Sequence, residues 1–225
     1  MARRLSRGVL VTLEGGEGSG KSTLAESISA FLSDEGYAVH TTREPTGTAL
    51  GQAITNVFER LAGGTGPAVT AAAELFLFEA ARAQHVDELI RPALERGEVV
   101  VCDRFTDSTL AYQGYGRGLS LDHIRACNHI ATGGLVPDMT LLLDVPPEVG
   151  LARAATRPSG PTGEGDLRDA IGAEPLEFHR RVRDGFLALA KREPKRIAVL
   201  DSTLAFAAVS GLAQERVLDF LRHVL

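Results

Sequence analysis

Cysteine is scarce in this chain, with two in 225 residues, and Cys102 and Cys127 make no metal-binding or redox spacing. Cys102 lies beside the apolar run Val99-Val100-Val101 and reads as a small buried core residue. No apolar run approaches the ~20 residues of a helical membrane span. The start, Met1 to Gly8, is basic but lacks the apolar region of a signal peptide, and it reads as a short frayed tail. A soluble cytoplasmic protein with no membrane partner is expected. Positive charge is not in excess either: 24 Lys and Arg face 29 Asp and Glu, for a net charge of −5. That balance disfavours a nucleic-acid partner while leaving room for a local cluster of arginines. There is no internal repeat. The Gly/Ala/Thr-rich stretch from Ala62 to Ala73 reads as a loop running into a helix.

What is present is a core and an alternation. Hydrophobic residues make up 44% of the chain, enough for one sizeable domain spanning 1–225. Five short β-like runs stand out: Val9–Glu14, Ala38–Arg43, Val99–Asp103, Met139–Val145 and Ile197–Asp201. Helical patterns separate them: Lys21–Glu35, Ala49–Leu61, Thr70–Arg96 (with Pro92 kinking or ending it), Ser120–Thr132, Pro147–Thr156, Glu174–Arg192 and Leu212–Leu225. Strand–helix alternation predicts an α/β fold in three layers, a five-stranded parallel sheet with helices on both faces. Prolines and glycines between Arg157 and Asp166 forbid a regular helix and predict a mobile lid, about residues 153–172.

The most specific signal is Val9 to Thr23, a buried strand, a glycine turn and Lys-Ser opening a helix. Gly15, Gly20, Lys21 and Ser22 occupy the fixed positions of G-x-x-x-x-G-K-[ST]. Glycines let the backbone turn its N–H groups around a phosphate, and the following helix points its positive end at the same anion. Gly15, Gly16, Glu17, Gly18, Ser19, Gly20, Lys21, Ser22 and Thr23 are therefore expected to cradle ATP, with Lys21 on the outer phosphates. The Ser22 hydroxyl and the Asp103 carboxylate are the expected Mg2+ holders. Leu24, Ile28, Phe31 and Leu32 supply helical apolar spacing just after the loop.

Two further groupings fall where an open parallel sheet binds ligands, at the carboxyl ends of its strands. Glu14, Arg43-Glu44-Pro45 and Asp103-Arg104 end three separate strands. An arginine there can grip a second phosphate bidentately. Phe78 and Arg82 are four apart, so they share a helix face: a ring for stacking and a donor fork one turn away suit a nucleobase. Without the phosphate loop, Phe78 would read as core. His85 shows no partner signal and reads as a solvated or core histidine.

Together these residues resemble the thymidylate kinase (dTMP kinase) family, phosphate-loop nucleoside monophosphate kinases, from about Val9 to Leu189. The likeness rests on Leu13-Glu14-Gly15 with the loop, Arg43-Glu44-Pro45, Phe78 to Arg82, and Asp103-Arg104-Phe105 with Ser108. It continues through Ala111-Tyr112-Gln113-Gly114, Gly116-Arg117-Gly118, Thr132-Gly133-Gly134, Pro137-Asp138 and Leu143-Asp144-Val145. The resemblance implies a P-loop NTPase-type fold and transfer of the γ-phosphoryl of ATP to dTMP, giving dTDP and ADP, with Mg2+ as cofactor. It implies that Phe78 stacks on thymine and Arg82 bonds its carbonyl, and that Arg43 and Arg104 hold the 5′-phosphate. It places Tyr112 under the deoxyribose and Gln113 at the base, with Glu44 and Ser108 also in the substrate pocket. Glu17 matches a carboxylate near the acceptor nucleotide. Some members carry an arginine at the position of Gly18; members without it supply that charge from the lid, here Arg153, Arg157 and Arg168. Lys21, Arg104, Glu17 and these lid arginines form the implied catalytic set, and a homodimer formed through helices is implied as well.

The chain departs from the family pattern twice. Arg-Glu-Pro-Gly-Gly-Thr appears as Arg43-Glu44-Pro45-Thr46-Gly47-Thr48, and the Asp-Arg-x-Glu stretch aligns with Asp169-Ala170-Ile171-Gly172. These departures keep open a kinase for another or modified pyrimidine monophosphate. A third reading, an ATP-binding regulator without transfer, leaves the second nucleotide pocket without a purpose.

Overall fold

The computed structural model describes residues 2–62, 69–156 and 174–224. Its centre is a five-stranded, all-parallel sheet in the order β2-β3-β1-β4-β5. The strands are β1 (Val9–Gly15), β2 (Val39–Arg43), β3 (Val99–Asp103), β4 (Met139–Asp144) and β5 (Ile197–Asp201). Register runs Val9↔Val99 to Leu13↔Asp103 on one side of β1 and Val11↔Met139 to Gly15↔Leu143 on the other. Because side chains alternate along a strand, β1 feeds both faces of the sheet. Val9, Val11 and Leu13 pack with Leu24, Ile28 and Leu32 of α1 (Lys21–Asp34) and with Val217 and Leu221 of the last helix. Leu10 turns the other way and packs with Val86, Ile90 and Phe105. Each of these aliphatic side chains fully withdrawn from water contributes about 1.5–3 kcal/mol, so the doubly covered sheet is the rigid frame on which strand ends are held.

The remaining helices are α2 (Ala49–Ala62), α3 (Ala71–His85), α4 (Arg91–Glu95), α5 (Thr106–Thr109), α6 (Leu121–Thr132), α7 (Pro147–Ala155), α8 (Leu176–Arg192) and α9 (Phe206–Val224). Their ends follow sequence chemistry. The Thr70 hydroxyl accepts from Ala73 N at the start of α3, and the Ser120 hydroxyl from His123 N at the start of α6. Gly133 ends α6 at φ 58°, a left-handed turn that glycine makes without strain.

The long helix expected over Thr70–Arg96 is broken into three pieces by a π-helical turn at Val86–Ile90, with Pro92 in the first turn of α4, where its missing N–H is not needed. α9 begins at Phe206, six residues before the expected Leu212: Gly211 interrupts the apolar spacing without interrupting the helix. Helical structure also spans Thr106–Thr109 and, as a second π-helical segment, Leu110–Gly116. The span from Thr106 to Gly116 is rich in Gly, Thr and Ser, and packing supplies the order its propensity does not: Ala111 and Tyr112 share a core with Phe178, Val182 and Phe186 of α8. Of the expected lid, residues 153–156 and nothing up to residue 173 belong to the described part; Arg157, Arg168 and Asp169-Ala170-Ile171-Gly172 lie outside it. No described helix is long and apolar enough to cross a membrane.

Candidate active site

The carboxyl ends of β1, β3 and β4 meet at one crevice, and the turn after β1 is shaped by close approach. Gly15 has φ 144° and Gly20 has φ 93°, conformations that L side chains rarely adopt. At Gly18, with φ 64°, an added Cβ would lie 1.9 Å from the Gly150 carbonyl oxygen of α7. A Cβ at Gly150 would in turn lie 2.2 Å from the Glu17 carbonyl oxygen. The two glycines let α7 press directly on the loop, so that no side chain fits at position 18 unless the helix or the loop shifts. Lys21 Nζ closes the turn, donating to the carbonyl oxygens of Gly15 (2.9 Å) and Gly16 (2.8 Å) and to Ser19 Oγ (3.2 Å). Burial, followed by the nearby Arg104 guanidinium, lowers the Lys21 ammonium to about 8 against the pull of Glu17, Asp103 and Glu14.

Ser22 Oγ donates to Asp103 Oδ2 at 2.6 Å, while the buried Asp103 Oδ1 has no hydrogen-bond partner among the described residues. A hydroxyl and a carboxylate with a spare oxygen fit Mg2+, which takes few protein ligands and relies on phosphate and water for the rest. No cluster of three or more His, Cys, Asp or Glu able to cage a metal occurs among the described residues.

Arg104 is the one non-glycine described residue with positive φ, at 72°. A left-handed L-residue costs about 1–2 kcal/mol, and contacts on every side hold it. Its N–H donates to Leu13 O at 3.0 Å. Its Nη2 donates to Glu17 Oε1 at 2.8 Å, its Nη1 to Ser108 Oγ at 3.3 Å, and the guanidinium lies 5.1 Å from the Tyr112 ring centre. Tyr112 Oη also donates to Glu17 Oε1, at 2.8 Å, and burial raises the phenol so that it stays a donor. Glu17, Arg104, Ser108 and Tyr112 are thus gathered beside the loop.

The residues expected at the nucleobase are arranged differently from one another. Phe78 is half-buried and stacks on Phe58, with ring centres 5.0 Å apart. Arg82 is 3% exposed, and each of its N–H groups meets a protein acceptor. Nε and Nη2 donate to Glu44 Oε2 (3.0 and 2.8 Å), Nη1 to Thr109 Oγ1 (2.8 Å) and Asn128 Oδ1 (2.7 Å), and Nη2 to Phe105 O (3.1 Å). Burial opposes ionisation of Glu44, but Arg82 and His85 outweigh it and hold the carboxyl below its ordinary range. His85 is a core residue, bonded through Nε2 to Thr42 Oγ1 at 2.7 Å. Gln113 is buried and donates to Glu74 Oε1 at 2.7 Å. Exposed Arg43 makes no ion pair among the described residues. Thr46 has no left-handed backbone, so its replacement of glycine introduces no strain there, whereas a Cβ at Gly47 would lie 2.6 Å from His85 Nε2. Arg153 Nη1 donates to Ser202 O at 2.8 Å, on the turn after β5, rather than to the loop.

Three contributors went unread in the sequence. Ser202 Oγ donates to Ser19 O at 2.6 Å and ties the end of β5 to the loop. Gly150, in the helix expected over Pro147–Thr156, carries no motif of its own. Asn128 carries Arg82 from a helix whose spacing gave no hint of it. A serine just beyond an apolar strand, at the ligand end of a parallel sheet, was the one signal available.

Known proteins follow the same plan. The thymidylate kinase family profile matches residues 13–211. A thymidylate kinase of Synechococcus sp. (strain JA-2-3B'a(2-13)) is 54% identical over 203 residues, covering 90% of this chain and 91% of that protein. One of Deinococcus radiodurans is 49% identical over 201 residues, 88% of this chain and 91% of its own length. The crystal structure of thymidylate kinase from Ehrlichia chaffeensis superposes with a TM-score of 0.71 at 32% identity, covering 94% of this chain and 99% of that one. A phosphate loop braced on a parallel sheet, with Arg104 and Tyr112 set beside it, is carried here by a chain that belongs to the thymidylate kinase family.

Proposed function

We propose that this chain transfers the γ-phosphoryl of ATP to the 5′-phosphate of dTMP, giving dTDP and ADP. The observation that carries the reading is the gathering of Arg104, Glu17 and Tyr112 beside the phosphate loop. A phosphate-loop protein that only sensed ATP would need no second cation and ring there. The acceptor monophosphate has a second pKa near 6, so it is mostly dianionic at neutral pH and needs no general base. The barrier is repulsion between two polyanions, and positioning and electrostatics must lower it. The loop N–H groups and Lys21 would take the ATP phosphates, phosphate oxygens replacing the carbonyls that Lys21 now meets. Ser22 and Asp103 would hold Mg2+, which when bound neutralises charge on the phosphate oxygens. Arg104, with Arg43 at the next strand end, would grip the 5′-phosphate. Phe78 would stack on thymine, Gln113 would help read the base, and Tyr112 would lie under the deoxyribose. A thymine carbonyl would take one of the Arg82 N–H groups that now go to Thr109 and Asn128. Arg157 and Arg168 complete the reading as lid cations.

A second copy of the chain is the proposed partner. α2 packs on α3 and α3 on α6, and these helices expose Val57, Leu61, Phe76 and Ile130. The reaction is tested with two substitutions. Lys21→Ala should abolish transfer with the fold intact, and Arg104→Ala should raise KM for dTMP and lower kcat. Near-normal rates in both would rule the reading out.

A further inference from the structure

Glu14, next to last in β1, holds its carboxyl in the interior, where burial, followed by nearby Asp107, raises it to about 8, and a buried polar group is costly unless it is hydrogen-bonded. Glu14 is fully buried and forms no ion pair among the described residues. Three donors satisfy it instead: Phe105 N at 2.8 Å and Ser108 N at 3.2 Å on Oε1, and Ser108 Oγ at 2.5 Å on Oε2. Phe105 N comes from the turn that follows β3, and both Ser108 donors come from α5 just beyond it. The residue before Glu14 grips the same turn, since Leu13 O accepts from Arg104 N. Two successive residues of β1 thus clamp two successive residues of the turn, on either side of the left-handed Arg104 backbone. The Ser108 hydroxyl, having given its proton to Glu14, turns its lone pairs to Arg104 Nη1. The Arg104 backbone is therefore held by Leu13, and its side chain is tied through Ser108 to Glu14.

We infer that Glu14 is a positioning residue for phosphoryl transfer, acting through Ser108 and the Phe105 turn to aim Arg104 at the acceptor phosphate. The inference rests on the dTMP kinase reading. It distinguishes Glu14 from a carboxylate that merely completes the fold, because its effect should fall on one substrate. In that reading Arg104 faces the acceptor, while Lys21 and the loop N–H groups, the proposed ATP holders, donate no hydrogen bond to Glu14 among the described residues.

The test is steady-state kinetics of Glu14→Gln, Ser108→Ala, the double variant and Ser108→Thr, with each substrate varied at saturating partner, and thermal melts of all four. The amide keeps the size of the group, but its nitrogen cannot accept the hydrogen bond from Ser108 Oγ. The expected result is a KM for dTMP raised about 10- to 100-fold in Glu14→Gln and in Ser108→Ala, the scale of a misplaced contact. KM for ATP should stay within about twofold, and the double variant should lose no more than the worse single one. Ser108→Thr, which keeps the hydroxyl, should restore KM for dTMP. An unchanged KM for dTMP, or equal rises for both nucleotides, overturns the inference. If Glu14→Gln does not fold, Glu14→Asp, which keeps the carboxyl but shortens its reach to Ser108, is read in the same way. If the wild-type chain does not phosphorylate dTMP, the underlying reading fails rather than the role of Glu14.

Discussion

At Gly18, one missing Cβ decides how the loop meets α7. The left-handed φ of 64° and the 1.9 Å approach to the Gly150 carbonyl act together. Gly18→Ala therefore adds backbone strain of about 1–3 kcal/mol and forces the loop and helix apart. The expected outcome is a loss of at least about 2 kcal/mol of stability, read by urea denaturation, together with a raised KM for ATP. A variant as stable as the wild type would contradict the close contact. Gly15, Gly20, Lys21 and Ser22 were legible in the sequence because their spacing is fixed by the phosphate itself. Gly150 was not, since its partner is more than a hundred residues away and a helical glycine has many causes.

At the scale of elements, the buried network around Arg82 joins the end of β2 (through Glu44), α3, α5 and α6 (through Asn128). Phe78 and Arg82 could be read as one helix face from their spacing, but not that the guanidinium would be fully engaged inside the protein. That depends on Glu44, Thr109 and Asn128, which arrive from three other elements. The network also sets a pH dependence. Glu44 titrates below its usual value of 4.5 in the folded chain, so its ionised form contributes stability above that value and loses it as the pH falls through the folded pKa. The stability gap between wild type and Glu44→Gln should be widest above about pH 5 and close as the pH drops below about 4. Denaturant titrations across that range check it; a gap independent of pH would mean that Glu44 is not held ionised.

Over the whole molecule, the five strands and their parallel direction were foreseeable, because apolar runs alternating with helical spacing admit few other architectures; the strand order β2-β3-β1-β4-β5 was not. The helical span from Thr106 to Gly116 was not, because its residues favour turns and only packing against α8 orders it. The central claim is that two anionic nucleotides share this crevice, and that the pocket around Phe78 and Arg82 selects thymine. A coupled ADP-release assay over a panel of nucleoside monophosphates, each with ATP, tests it most directly. The account predicts fastest turnover with dTMP, slower turnover with dUMP by about 10- to 200-fold in kcat/KM, the worth of one methyl group in an apolar pocket, and little ADP release without an acceptor. Preference for a different or modified pyrimidine monophosphate, or ATP bound with no acceptor turned over, would contradict it.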